Sequence, residues 1–242
     1  MTSEHGLPLD RLEALFLDAG NTIVGMDLSL VAEVLAARGV RVAPDALARA
    51  EASARPAVSR HLASGGSSEA RDTFTFYLRA ALGRLSPALD VPLDRLAADV
   101  AAELKTAVST RRLWSSVLPG VPEALAALRA RGLRLVVVSN SDGSIERGIA
   151  EMGLAGYFDG VVDSTVVGAE KPDPRIFGHA LDVSRTAPDR TAHVGDLYSV
   201  DVVGARSAGL HGVLLDPFGD WDGTDCPRFR DLAALARAIT GP

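Results

Sequence analysis

The chain has one cysteine, Cys226, and two lysines, Lys105 and Lys171, among 25 basic residues. A single thiol excludes an internal disulfide. A chain without disulfides suits a reducing compartment, so a cytoplasmic location is expected. No run of about eighteen uninterrupted apolar residues occurs, which argues against a membrane-spanning helix. The opening residues, MTSEHGLPLDR, lack the basic segment and apolar core of a secretory leader. No Lys or Arg cluster stands out against a formal charge of −6, so a nucleic-acid surface is not expected either. Internal repeats and low-complexity tracts are also missing. Where a positive charge is wanted this chain nearly always uses Arg, so Lys171 suggests a need for a compact ammonium.

What is present is a core and four short blocks. With 242 residues, 47% of them apolar, the chain can bury one large domain or a core plus an insert. The blocks are FLDAGNT around Asp18, VVVSNS around Ser139, EKPDP around Lys171, and HVGDLYSVD from His193 to Asp201. The apolar runs Leu12 to Leu17, Leu133 to Val138 and Thr191 to Val194 lead into three of them. Each run is short and followed by a helical pattern, as buried parallel strands joined by crossover helices are. Ligands bind such sheets beyond the strands' carboxyl ends, so distant residues converge there. A carboxylate, a hydroxyl, an ammonium and a carboxylate pair at one edge suit phosphoryl transfer, which is mainly positioning and electrostatic stabilisation.

Each residue also has a plainer reading. Asp18 alone would be a cap or turn residue, Ser139-Asn140 turn chemistry, Lys171 a solvated loop lysine, and Asp201 a helix start. His193, inside an apolar strand, reads as a core histidine. The acids Asp216, Asp220, Asp222 and Asp225 fail calcium-loop spacing and read as a solvated turn. Arg60, His61 and Arg71 are weaker candidates for substrate contact.

Between the first and second blocks about ninety residues pass without a convincing strand. Helical spacing holds at Leu28, Val31, Ala32 and Leu35, at Phe74, Leu78, Ala81, Leu82 and Leu85, and from Leu93 through Leu96, Val100 and Leu104 to Val108. Asp45 and Asp94 sit near helix starts, and Ser64 to Ser68 is a flexible break. The expected fold is α/β: a Rossmann-like, doubly wound parallel sheet formed by residues 1–23 and 117–242, with an all-helical insert over 24–116. After Ser139 the pattern predicts a helix over Ser144 to Met152, a strand at Val161 to Asp163, a helix from Pro174, another across Val202 to Ala208, a strand at Val213 to Leu215 and a last helix near Leu232 to Ile239.

In type, order and context the four blocks resemble those of the haloacid dehalogenase superfamily, over roughly residues 10 to 23 and 117 to 216. The resemblance implies that Asp18 is the nucleophile, that Ser139 and Lys171 bind phosphoryl oxygens with Asn140 beside them, and that Asp196 and Asp201 serve a magnesium site. Asp18 and the Gly20 carbonyl would join that site, Asp201 through a metal-bound water. It implies that the insert is a cap selecting a small phosphorylated metabolite. One departure stands out: the superfamily's phosphatases usually carry a second Asp two residues after the nucleophile, and here that position is Gly20. The expectation is a magnesium-dependent phosphatase using an aspartyl phosphate. A dehalogenase or phosphonate hydrolase, and an impaired phosphate-binding or interaction module, remain as alternatives. Oligomeric state is left open.

Overall fold

The computed structural model describes residues 6–65, 71–86, 88–106 and 113–241. Gly66, Ser67, Ser68 and Val108, and the side chain of Arg71, lie outside the described residues. The chain divides into two compact units, Met1–Val24 with Val117–Pro242, and Gly25–Ser116.

The second unit is helical, with α1 (Leu28–Ala36), α2 (Pro44–Ala63), α3 (Arg71–Leu82) and α4 (Leu93–Leu104). Asp27 begins α1 by accepting the Leu30 N–H at 3.0 Å, which satisfies one donor of the first turn. Asp45 and Asp94 lie in the first turns of α2 and α4, where a negative charge suits the helix dipole. Burial of Leu96, Ala97, Val100, Ala101 and Leu104 follows the 3.6-residue period of α4. Inside this unit Arg55 donates to both oxygens of Glu51, at 2.7 and 2.6 Å. The Tyr77 hydroxyl donates to the same carboxylate from α3.

The first unit is built on a six-stranded sheet of order β5-β4-β1-β6-β7-β8. Its strands are β1 (Ala14–Leu17), β4 (Arg134–Ser139), β5 (Gly160–Asp163), β6 (Thr191–Gly195), β7 (His211–Leu215) and β8 (Arg228–Phe229), and every pairing is parallel. Two short strands, β2 (Val24–Gly25) and β3 (Ser116–Val117), form a separate sheet. Alternation along the strands splits the core in two. Leu15, Leu17, Leu135 and Val137 join residues of α5 (Val121–Ala130), α6 (Ile145–Glu151) and α10 (Leu232–Thr240). Phe16, Val136 and Val138 face the other way, with α8 (Pro174–Ser184) and α9 (Val203–Ser207). Helices therefore cover both faces, which is why these strands read as continuous apolar runs. The four-residue helix α7 (Ser164–Val167) follows β5 directly.

Three stretches depart from expectation. The helix expected from Val202 is preceded by a π-helical turn, Tyr198–Val202, and becomes α9 only at Val203. β8 was not foreseen, since two residues are too few to show a strand period. The acidic stretch is partly packed rather than fully solvated. Asp216 accepts the N–H groups of Asp220 and Trp221 at 2.8 and 3.3 Å, while Trp221 and Cys226 are buried against Val202 and Leu214.

Candidate active site

β1 ends at Leu17 and β6 at Gly195, with Leu17 opposite Val194, so Asp18 and Asp196 leave adjacent strands side by side. The Asp18 N–H donates to the Val194 carbonyl at 2.9 Å and ties the start of the loop to the sheet. Ser139 ends β4, on the other flank of β1. The chain thus crosses from one side of β1 to the other at this edge, the position where open α/β sheets bind ligands.

Lys171 arrives on the loop between α7 and α8. Its Nζ donates to Asp18 Oδ1 at 2.6 Å and to Asp201 Oδ1 at 2.7 Å, and its side chain is 2% exposed. The loop is fixed by Asn140. The Lys171 N–H donates to Asn140 Oδ1 at 2.7 Å, and Asn140 Nδ2 donates to the Lys171 carbonyl at 2.9 Å. One side-chain amide thereby pairs with both faces of one residue's backbone, across 31 residues of sequence.

Asp201 is held as firmly. Oδ1 also meets His193 Nε2 at 3.0 Å, and Oδ2 accepts the Leu197 N–H at 2.9 Å. A Cβ on Gly195 would fall 2.1 Å from Asp201 Cγ, so only glycine lets this carboxylate tuck beneath the strand end. Gly204 of α9 plays a similar part, since a Cβ there would stand 2.9 Å from Pro172 Cα, in the loop that carries Lys171.

The electrostatics follow from burial and pairing. Burial pushes the Asp18 carboxyl up to about 6; the Asp201 charge adds to this while Lys171 opposes it. Burial disfavours the Lys171 ammonium, but Asp18 and Asp201 outweigh it and hold it above the ordinary lysine value. Asp201 falls well below the usual carboxylate range, because Lys171 and the His193 hydrogen bond overcome its burial. Burial lowers His193 to about 4 despite the pull of Asp201. His193 is therefore neutral near pH 7 and donates through Nε2, since a carboxylate only accepts.

All the expected site residues except Gly20 and Ser139 are thus joined by hydrogen bonds, in one cluster through Lys171 and in a second contact at Asp196. Asp18, Lys171, Asn140 and Asp201 form the cluster. Asp196, 4% exposed, accepts from Asn21 Nδ2 at 3.1 Å. Ser139 is buried, with its Oγ 3.5 Å from the Asn140 carbonyl, at the limit of a hydrogen bond. Gly20 bridges to Val24 in the turn that follows Asp18. Two readings shift. The Asn140 amide, expected at phosphate, is paired with the Lys171 backbone. Asp201, expected at a metal-bound water, has its oxygens on Lys171, His193 and the Leu197 N–H. Sequence reasoning missed His193 and Asn21. The available signal for His193 was its place two residues before Gly195, on the same face of β6.

A divalent cation fits the donor chemistry at this edge. Asp18, Asp196 and the Gly20 carbonyl offer hard oxygens, as magnesium prefers, and magnesium retains several waters rather than filling a protein cage. Among the described residues no group of three or more His, Cys, Asp or Glu side chains converges as a cage. Among the same residues no helix is long and apolar enough to cross a membrane.

Comparison with known proteins agrees with the fold. The family model for haloacid dehalogenase-like hydrolases matches residues 12–209, and the chain belongs to that family. Human haloacid dehalogenase-like hydrolase domain-containing protein 3 is 36% identical over 179 residues, 74% of this chain and 70% of its own. The phosphoserine phosphatase of Thermus thermophilus is 39% identical over 117 residues, covering 48% of this chain and 47% of its own. The chain spans about half the length of most of the curated relatives it matches. Among solved structures, a HAD phosphatase from Thermococcus onnurineus is 25% identical with a TM-score of 0.59, covering 95% of this chain and 98% of that one.

Proposed function

We propose that this hydrolase is a magnesium-dependent phosphatase that acts on a small phosphorylated metabolite through an aspartyl phosphate on Asp18. The observation that carries the reading is the buried Lys171 ammonium held at 2.6 Å from Asp18 Oδ1 while Asp196 leaves the adjacent strand. Similarity to a relative named as a phosphoserine phosphatase supports the reaction class.

An ionised Asp18 attacks phosphorus as the ester P–O bond breaks and the alcohol departs, and water then hydrolyses the aspartyl phosphate to inorganic phosphate and free Asp18, which divides one difficult step into two. Lys171 offsets negative charge on the nucleophile and on the transferring group. Its position is set by Asn140 from the backbone side and by Asp201 from the ammonium side. His193 fixes Asp201 in turn, so a chain of buried contacts holds the ammonium before substrate arrives. The Ser139 hydroxyl, only weakly engaged, would donate to a phosphoryl oxygen. Asp18, Asp196 and the Gly20 carbonyl would hold Mg²⁺, which when bound supplies positive charge between the two anions that must meet. Gly20 brings no side-chain acid, so the leaving group must depart with little help from that position.

A panel of phosphorylated metabolites and a haloacid, assayed with magnesium and with chelator, tests the proposal. Metal-dependent phosphate release is the expected result. Halide release that survives chelation would overturn it, and so would the absence of turnover on every phosphate ester.

A further inference from the structure

We infer that Asn21 is a positioning residue for Asp196, setting the orientation in which that carboxylate serves a divalent cation; this rests on the proposed cation role of Asp18 and Asp196. Asn21 adopts a left-handed backbone, φ 54°, which among the described residues only one other non-glycine residue, Arg185, shares. The turn after Asp18 imposes it: the Ala19 carbonyl accepts from Ile23 and Val24 at 3.0 Å each, and the Asn21 N–H donates to the Val24 carbonyl at 2.6 Å. Glycine would meet this demand with less strain, although Asn is among the side chains that tolerate it best. What asparagine adds is therefore its amide. Nδ2 donates to Asp196 Oδ2 at 3.1 Å, joining positions 175 residues apart.

The chemistry of that donor matters. The terminal torsion of an aspartate is broad and nearly two-fold, so a donor fixed on one oxygen restricts the plane of the whole carboxylate. An amide does so without cancelling the negative charge that attracts a cation, as an ammonium would. It does so without repelling Asp196, as a second carboxylate would. Partners of this kind orient a ligand and typically change metal affinity by about 10- to 100-fold when removed. The left-handed turn is the device that aims Asn21 at Asp196, and Gly20 keeps the preceding position free of any side chain.

Mg²⁺ binding to the full chain by titration calorimetry, with cation-free thermal unfolding as control, decides the matter. Asn21→Gly suits the backbone, so it should leave the cation-free Tm unchanged and weaken Mg²⁺ about tenfold or more. Asp196→Asn should weaken binding further, and the double variant should bind no worse than Asp196→Asn alone, because Asn21 acts through Asp196. Wild-type affinity in Asn21→Gly overturns the inference and leaves the phosphatase reading standing. So does an added loss in the double variant as large as the loss caused by Asn21→Gly alone. A cation-free Tm that falls in Asn21→Gly marks Asn21 as structural and overturns it as well. Absence of Mg²⁺ binding to wild type overturns the cation reading itself and the inference with it.

Discussion

Lys171 is the residue on which the site turns, because two carboxylates meet on its single ammonium in a buried setting. Removing one partner of a buried pair leaves a charge uncompensated, which typically costs about 3–5 kcal/mol. The same logic shows why Asp18 is best tested by an isostere. Asp18→Asn keeps volume and shape but cannot attack phosphorus, so turnover should vanish while the fold persists. Residual activity above about one hundredth of wild type, in an assay of purified protein, would count against Asp18 as nucleophile. Asn140 makes a different claim. Its amide holds the Lys171 backbone at 2.7 and 2.9 Å, so Asn140→Ala frees the loop without touching a reacting atom. Displacement on the order of 1 Å can cost about a hundredfold in rate, and a loss in kcat of roughly ten- to a hundredfold is expected. A rise in KM alone would instead indicate direct substrate contact. Gly20 is tested through the leaving group. General acid catalysis is worth about 10² to 10⁴ in rate, so aryl or acyl phosphates should be cleaved well and alkyl phosphates poorly. Gly20→Asp should narrow that gap, unless like-charge repulsion raises the pKa of Asp18 further. If wild type already cleaves alkyl and aryl esters equally fast, an acid is supplied from elsewhere. Asp27 is a poor candidate for that role, since its Oδ1 caps α1.

The elements around the site are secured at the far end of the sheet as well. Asp159 lies just before β5 and accepts from Arg129 at 2.6 Å, from Arg134 at 2.7 Å and from the Leu135 N–H at 2.9 Å, joining α5, β4 and β5. Burial would raise its pKa, but the Arg134 and Leu135 hydrogen bonds and the Arg129 charge outweigh that and lower it. A carboxyl with a depressed folded pKa stabilises above its unfolded value, near 3.9, and the stabilisation is lost as pH falls through the folded value. Asp159→Ala should therefore lose on the order of 1–3 kcal/mol at pH 7. Urea unfolding should show the gap to wild type closing below about pH 4; a gap independent of pH would mean that packing, not charge, is what Asp159 contributes. This junction was invisible in the sequence, as were other links made by a single distant pairing. The strands could be read because strands buried on both faces leave unbroken apolar runs, and Pro174 announced α8 because its missing N–H costs nothing at a first turn. Asn140 gave no sign of its partner 31 residues on. His193 looked like a core residue because it is one, buried completely, and only the fold of the π-turn brings Asp201 beneath it. Asn21 gave no sign of the backbone angle it adopts or of its partner 175 residues away.

The sheet edge gathers three carboxylates, Asp18, Asp196 and Asp201, with the Lys171 ammonium. Asp18 and Asp201 share the Lys171 ammonium, Asp196 leaves the adjacent strand beside them, burial lowers His193 to about 4, and the chain carries a formal charge of −6. The proposed cation would offset negative charge gathered at this edge, so function and stability are expected to pull apart there. Two thermal measurements should then respond with opposite signs. Wild type with Mg²⁺ at about a hundred times its Kd should gain about 2.7 kcal/mol. For a chain of this size that corresponds to a rise in Tm of roughly 5–10 °C, reversed by chelator. Asp196→Asn should lose most of that rise, because a neutral amide is a poor magnesium ligand. Without cation, the same variant should melt no lower than wild type, because it removes one of the crowded charges while its amide oxygen can still accept from Asn21. Asp201→Asn should behave differently. Its carboxylate compensates Lys171 and accepts the Leu197 N–H, so its neutralisation should lower the cation-free Tm. An Asp196→Asn protein that is less stable without cation yet keeps the full magnesium rise would place the cation elsewhere and make Asp196 a structural residue.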